Sequence, residues 1–225
     1  MKSILLLMLS CLLPLFSLQP ATAGQTDNCH CFRERSYDPA HKFAADDYLL
    51  TTSFNSLIAA TLGVSKRQIV MMKMKGGVDP DELLAALYIA DRTQAPMDLL
   101  LSIRDNGGSW QSILSSPALQ GKNSTDPVIA KITGGAAGDD ITSQITDAMI
   151  STYYQALPKK ISDMREQYFS NKELGLIFAL HKQSKTPMAK IVAMSRQQKM
   201  SWSEIAHYFN LTPSGVGKTI LGEQT

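Results

Sequence analysis

One series of residues occurs twice in this chain of 225 residues, at a nearly constant interval. Glu82-Leu83 and Pro96-Met97 return 91 residues later, and Ser109-Trp110 and Ile113 return 92 residues later. The returning members are Glu173-Leu174, Pro187-Met188, Ser201-Trp202 and Ile205. The chain has two tryptophans, and both hold the same place in the series. The series predicts an internal duplication of a unit of about 90 residues, with too few copies for a solenoid.

The local signals in each unit are those of helices. Three serines are followed three residues later by Gln or Glu, the spacing of an N-terminal capping box: Ser65, Ser170 and Ser201. Asp79-Pro80 and Thr186-Pro187 are further signals for helix starts. Alternating runs of β-branched residues, which would indicate strands, are missing. The sequence therefore predicts an all-α fold of two related helical units.

The duplication and its flanking segments predict the domain organisation. In chain order the predicted segments are a signal peptide (1–23), a cysteine-containing arm (24–44), helical unit 1 (45–116), a linker (117–139) and helical unit 2 (140–225). Helices over 46–62 and 140–156 are expected to open the two units. The linker ends in a glycine-rich run, a composition typical of connecting segments.

The N-terminus has the three parts of a secretory signal. Lys2 supplies a positive charge, an apolar stretch runs from Ile4 to Phe16, and Ala21-Thr22-Ala23 is a small-x-small cleavage site. The 13 residues of the apolar stretch are too few to span a bilayer of about 30 Å. We expect a secreted, periplasmic protein without a membrane span after cleavage.

Cleavage would remove Cys11 and leave two cysteines, Cys29 and Cys31, with His30 between them. Export allows a disulfide, although a bridge between residues i and i+2 is strained. Two thiolates and an imidazole are also ligands for zinc or copper, with His41 as a further ligand. Free or redox-active thiols are the third alternative. These residues thus predict a disulfide, a metal site at Cys29, His30, Cys31 and His41, or reactive thiols.

The charge of the chain is nearly balanced, with 22 Lys and Arg against 20 Asp and Glu. This balance gives no electrostatic support for binding nucleic acid or an anionic membrane. The tail over 201–220 nevertheless resembles a helix-turn-helix, whose second helix, 213–221, carries a single cation, Lys218. Gly215 to Thr219 matches the end of a phosphate-binding loop, but Thr212 stands where that pattern needs glycine. We therefore expect no nucleic-acid partner.

Catalytic motifs are missing from the sequence. His-Glu-x-x-His and Gly-x-Ser-x-Gly do not occur, and the chain has four histidines. The adjacent pairs Asp46-Asp47 and Asp139-Asp140 suit the negative first turn of a helix better than a catalytic carboxylate pair. No catalytic or cofactor-binding residue is predicted, and the sequence favours a protein that is not an enzyme.

Two blocks resemble uncharacterised exported bacterial proteins. The first runs from Cys29-His30-Cys31-Phe32 to Leu50, and the second from Pro187 through Ser201-Trp202-Ser203-Glu204-Ile205-Ala206. The resemblance implies a helical, periplasmic protein and brings no activity with it.

The leading functional hypothesis is a non-enzymatic binding or protein-interaction role in the periplasm, with an unknown protein or small-molecule partner. The first alternative is a small metal-binding or redox protein that uses Cys29, His30 and Cys31 with zinc or copper. The second alternative is a helix-turn-helix DNA-binding protein, which the leader and the near-zero net charge disfavour.

Overall fold

The structure, a computed structural model, describes residues 36–122 and 125–223. After a 3-10 turn (Pro39–His41), these residues form twelve α-helices and no β-strand. The helices are α1 (Asp46–Leu62), α2 (Lys66–Lys75), α3 (Pro80–Thr93), α4 (Met97–Asp105), α5 (Trp110–Leu114), α6 (Pro127–Thr133), α7 (Asp139–Tyr154), α8 (Pro158–Arg165), α9 (Asn171–Ser184), α10 (Met188–Arg196), α11 (Trp202–Tyr208) and α12 (Pro213–Ile220). The prediction of an all-α fold is confirmed. In the described part of the chain, no helix combines the length and apolar content that crossing a bilayer requires.

Several predicted helix starts are confirmed by side chains that bond free backbone N–H groups. Ser170 Oγ accepts from the Glu173 N–H at 3.3 Å, and Glu173 Oε2 accepts from the Ser170 N–H at 2.9 Å. Ser201 and Glu204 form the same reciprocal pair at the start of α11. Asp79 caps α3 by accepting two backbone N–H groups. These caps satisfy donors that a helix cannot bond internally, and so they set where the helices begin.

The helices form two series of six with similar lengths. We call α1–α6 the first half and α7–α12 the second half. The opening helices, α1 and α7, have 17 and 16 residues. Helices α3 and α9 both have 14 residues, and α4 and α10 both have 9. Trp110 and Trp202 are the first residues of α5 and α11. The repeated sequence series therefore falls on helices at the same place in each half.

The two halves exchange helices across their boundary. Helix α1 of the first half packs on α9 of the second, and α7 of the second half packs on α3 of the first. The last helices exchange in the same way, because α12 packs on α1 and α6 packs on α7. One hydrophobic core, with members from Leu49 to Ile220, includes residues of both halves. The halves are therefore interlocked rather than placed side by side.

A helix lies within residues 117–139, the segment predicted as the linker. Asp126 caps this helix, α6, by accepting the N–H groups of Val128 and Ile129 at 2.9 and 3.0 Å. Val128, Ile129 and Ile132 are buried in the common core. The connection between the halves thus contributes core packing, because its apolar residues are spaced along one face of a helix.

The middle of helix α1 is buried on all sides. Every residue from Thr51 to Ala59 is buried, although five of the nine side chains are polar. The helix lies among α2, α7, α9 and α12, so these polar side chains face other helices rather than water. Buried polar groups lower stability unless they are hydrogen-bonded. The surrounding helices supply partners for Thr51, Thr52 and Asn55, whereas Ser53 Oγ and Ser56 Oγ have none among the described residues.

Three lysines from the surrounding helices bond polar side chains of α1. The Nζ donors and their acceptors are Lys66 to Thr52 Oγ1 at 2.6 Å, Lys73 to Asn55 Oδ1 at 2.9 Å and Lys172 to Thr51 Oγ1 at 3.3 Å. No carboxylate of the described residues lies within 4.0 Å of these ammonium groups. Burial, together with the nearby charge of Lys172, lowers the pKa of Lys73 to about 8. Three partly buried lysines around α1 are therefore hydrogen-bonded to it but not ion-paired with any described carboxylate.

The start of α1 is bound to the start of α11. The Asp46 carboxylate accepts the backbone N–H groups of Trp202 and Ser203 at 3.0 and 2.8 Å, and the Ser203 hydroxyl at 2.6 Å. Beside it, Lys42 Nζ pairs with Glu204 at 2.9 Å. Asp46 thus satisfies free donors of a helix that lies more than 150 positions later in the chain.

We expect Asp46→Ala to lower the free energy of unfolding by about 1–3 kcal/mol, because it leaves the first N–H groups of α11 without their acceptor. The matched control is Asp47→Ala, which removes an exposed carboxylate from the same first turn of α1. We expect its effect to stay below about 1 kcal/mol. Urea denaturation measures both values, and equal losses would contradict the role given to Asp46.

We expect the stability difference between the wild type and Lys73→Gln to depend on pH. Lys73 titrates near 8 in the folded protein against 10.5 ordinarily, so the folded state releases this proton first as the pH rises. The wild type should therefore gain about 1–3 kcal/mol relative to the variant between pH 7 and pH 10. Urea denaturation at both pH values measures the difference, with Lys75→Gln, at an exposed lysine of α2, as control. A difference that does not change with pH would contradict the prediction.

Candidate functional site

A cleft between α3, α6, α7 and α8, which we call cleft A, is the candidate site. Its volume is about 580 Å³. Five charged side chains line it: Arg92, Lys131, Arg165, Asp126 and Asp147. The volume lies within the range of about 300–1,000 Å³ that is typical of small-molecule sites.

Asp126 organises one wall of cleft A. Its Oδ1 accepts the two backbone N–H groups that begin α6, and its Oδ2 accepts the Tyr88 hydroxyl at 2.9 Å and Arg92 Nε at 3.1 Å. Arg92 also lies over the ring of Tyr88, 4.8 Å from its centroid, and pairs with Asp91. Burial raises the pKa of Tyr88 to about 12, which keeps its hydroxyl a donor. This network fixes α6 against α3.

The opposite wall is held by Arg165 of α8. Its Nε and NH2 groups both donate to Asp147 Oδ1, at 3.0 and 2.7 Å. The same NH2 group donates to the backbone carbonyl of Ser143 at 3.0 Å. Because Asp147 and Ser143 both belong to α7, Arg165 binds α8 to α7 at two points. Each arginine thus fixes the helices of one wall of the cleft against each other.

Cleft A also contains polar groups that form no ion pair or hydrogen bond with the described residues. Lys131 is exposed, and no carboxylate of the described residues lies within 4.0 Å of its Nζ. Gln144 Oε1 is buried and has no hydrogen-bond partner. Val128, Ala148 and Ile161 add apolar lining. The cleft therefore combines a free cation, a free acceptor and apolar surface.

A smaller cavity of about 340 Å³ lies at the starts of α3, α5 and α7. Asp79, Asp81 and Asp139 line it. Burial raises the pKa of Asp81, and the charges of Asp79 and Asp139 raise it further. The corresponding space beside α11 lies between the starts of α1 and α11, where the Asp46 carboxylate binds the helix end. The start of α5 thus borders a cavity, whereas the start of α11 is bound directly by a carboxylate.

Of the four predicted metal ligands, the structure describes His41 alone. Cys29, His30 and Cys31 lie outside the described residues. His41 is exposed at the end of the 3-10 turn, and its Nδ1 lies 3.0 Å from Asp38 Oδ2. Among the described residues, no group of three or more His, Cys, Asp or Glu side chains is arranged to hold a metal ion. The metal site and the disulfide both stay predictions.

The helix-turn-helix-like tail corresponds to α11 and α12. Helix α12 packs on α1 and α9, and this packing buries Val216, Gly217 and Ile220. Lys218 is exposed. The apolar face of α12 is therefore part of the common core.

The residues of cleft A were not predicted from the sequence. Arg92, Asp126, Asp147 and Arg165 belong to four different segments that only the fold brings together. One signal was present, because Asp126-Pro127 repeats the helix start seen at Asp79-Pro80. That signal predicts α6 and its cap, but it does not indicate that Tyr88 and Arg92 bind the same carboxylate.

Comparisons of the chain with protein-family models, with curated proteins and with solved structures found no match. The resemblance to exported bacterial proteins therefore stays a prediction, and no residue inherits a role from a relative. Any function must follow from the chain's own geometry.

We expect Asp126→Ala to lower the free energy of unfolding by about 2–4 kcal/mol, because it removes the cap of α6 and leaves Tyr88 and Arg92 without their acceptor. Asp91→Ala is the matched control, since Asp91 pairs with Arg92 but caps no helix. We expect that control to lose no more than about 1 kcal/mol. Chemical denaturation compares the two, and a loss in Asp126→Ala no larger than in the control would contradict the network described.

Proposed function

We propose that this protein binds a small organic molecule in cleft A and does not transform it. The observation that carries the proposal is a cleft of about 580 Å³ that joins apolar lining to the Lys131 ammonium and Gln144 Oε1, neither of which has a partner among the described residues. Sites for small molecules have this composition, in which apolar walls supply affinity and a few polar groups fix orientation. The proposal narrows the broader expectation of a binding or protein-interaction role.

The free groups of cleft A define the class of ligand. The Lys131 ammonium would pair with an acidic group of the ligand, and the buried Gln144 Oε1 would accept a hydrogen bond from a donor of the ligand. Ala148 and its apolar neighbours suit a short hydrocarbon portion between the two. The ligand is therefore a small organic acid that also carries a donor, as amino acids do.

The state of the other polar groups supports binding over catalysis. Each oxygen of Asp126 already accepts two hydrogen bonds, so neither is available as a base. Asp147 is bonded to Arg165, and the Ser151 hydroxyl donates to the carbonyl of Ala156 at 3.1 Å. Covalent catalysis usually requires a nucleophile that is activated by an adjacent base. In cleft A the candidate bases, Asp126 and Asp147, and the candidate nucleophile, Ser151, instead form hydrogen bonds that hold the helices together.

The proposal includes export to the periplasm. The support for this location is the leader, with Lys2, the apolar stretch from Ile4 to Phe16 and the small residues Ala21 and Ala23. A small ligand would then be held outside the cytoplasm.

The proposal also includes an origin of the two halves by duplication. The repeated sequence series, the matched helix lengths and the reciprocal exchange of helices support it. A further support is the left-handed residue that ends the third helix of each half, Gln94 with φ 57° and Lys185 with φ 56°, 91 positions apart. A duplicated unit cannot bury all of its apolar faces alone, and each copy can bury those of the other. This explains why the halves share a core.

The test is a thermal-shift and calorimetric screen of the purified full chain against the twenty amino acids and against unbranched carboxylic acids. We expect at least one of these acids to raise the melting temperature. Ala148→Leu should weaken that binding by at least about tenfold, because the larger side chain fills the cleft. Ala60→Leu, at an exposed position of α1, is the control and should bind as the wild type does. No stabilisation by any of the acids, or equal binding by Ala148→Leu, would overturn the proposal.

A further inference from the structure

A further cleft, which we call cleft B, lies between α1, α2 and α12 and has a volume of about 440 Å³. It is the counterpart of cleft A, because each lies between the first two helices of one half and the last helix of the other. Three basic side chains line it, Lys66, Arg67 and Lys218, together with one carboxylate, Glu223. Its size also falls in the range of small-molecule sites.

The cations of cleft B differ from the arginines of cleft A in having no ion pair with the described residues. No carboxylate oxygen of the described residues lies within 4.0 Å of the basic groups of Lys66, Arg67 or Lys218. Glu223 acts on Lys66 only at longer range, where its charge raises the pKa of the lysine. Three positive charges therefore share a concave surface with one negative charge, an arrangement that concentrates anions.

Lys66 is held in a fixed position within cleft B. Its Nζ donates to Thr52 Oγ1 at 2.6 Å and is partly withdrawn from water, so burial lowers its pKa. Gly217 of α12 makes room for it, because a Cβ at that position would lie 3.0 Å from Lys66 Nζ and 3.0 Å from Ser56 Oγ. An ammonium group has three N–H donors, and Thr52 uses one of them. Lys66 is thus a cation in a fixed position, and two of its N–H groups remain available to a ligand.

The charge and the donors indicate the chemical class of the ligand. Three cations and one carboxylate leave the lining with two positive charges. A phosphate monoester carries about −1.5 to −2 charges near pH 7 and presents several strong acceptor oxygens. The cleft also has room for an organic group on the ester, and Val70, Met71 and Leu221 supply apolar surface for it.

We propose that cleft B is a second binding site, separate from cleft A, that takes the phosphate group of a phosphate monoester between Lys66, Arg67 and Lys218. The phosphate accepts hydrogen bonds from these side chains and replaces the ion pairs that the fold does not provide. The monoester can belong to a soluble molecule or to a lipid headgroup, and the experiment separates the two.

The test is calorimetric titration of the full chain with glycerol 3-phosphate and with vesicles of phosphatidylcholine containing phosphatidic acid, each against sodium chloride at matched ionic strength. We expect saturable binding of a monoester beyond the chloride effect. Lys66→Met and Lys218→Met should each weaken it by about tenfold or more, because each removes a charged hydrogen bond. Lys75→Met, at an exposed lysine of α2, is the control and should bind normally. Circular dichroism and thermal melting establish that each variant is folded.

Binding of glycerol 3-phosphate assigns the site to a soluble monoester, whereas binding of the phosphatidic acid vesicles alone assigns it to a lipid headgroup. Ala148→Leu should leave this binding intact, which separates cleft B from the ligand proposed for cleft A. Effects equal to those of chloride, or monoester binding that Lys66→Met and Lys218→Met do not weaken, would overturn the proposal. Loss of monoester binding in Ala148→Leu would overturn the assignment to a separate site.

Discussion

The burial of α1 is the constraint on which the rest of the structure depends. A helix with Thr51, Thr52, Asn55 and two serines in its middle cannot lie in a purely apolar core, because each unpartnered polar group lowers stability. Lysines of α2 and α9 bond Thr51, Thr52 and Asn55 through their ammonium groups, whereas the buried hydroxyls of Ser53 and Ser56 have no hydrogen-bond partner among the described residues. Helices of both halves must therefore surround α1, and the halves cannot separate without exposing the common core and breaking the contact from α9.

The exchange of helices that encloses α1 also produces the clefts. The last helix of each half packs on the first helix of the other, and a concave surface remains beside the second helix of that half. The two clefts then differ in how their charges are used. In cleft A the arginines are bound to Asp126 and Asp147, and Lys131 has no ion pair with a described carboxylate. In cleft B, Lys66 and its basic neighbours all lack such a pair. The two clefts thus have the same arrangement of helices but different charges available to a ligand.

Much of the secondary structure was predictable, and the candidate sites were not. Ser170 with Glu173 and Ser201 with Glu204 act through bonds that span three residues, so their effect can be read locally. The opening helices also begin within one residue of the predicted positions, at Asp46 and Asp139. Asp126 shows the limit, because its role as a cap has a sequence signal, while its bonds to Tyr88 and Arg92 span 38 and 34 positions. Such contacts depend on how helices pack.

The sequence by itself determined that the described chain is helical, where most of its helices begin, and which residues recur at intervals of about 91. These properties follow from caps and apolar periodicity, which act over a few residues. Only the tertiary structure decided that the halves exchange helices, that Asp46 binds the start of α11, and that Lys66, Arg67 and Lys218 line one cleft. The reason is that the helices carrying these groups are brought together by burial of a common apolar core, a non-directional force that local signals do not encode.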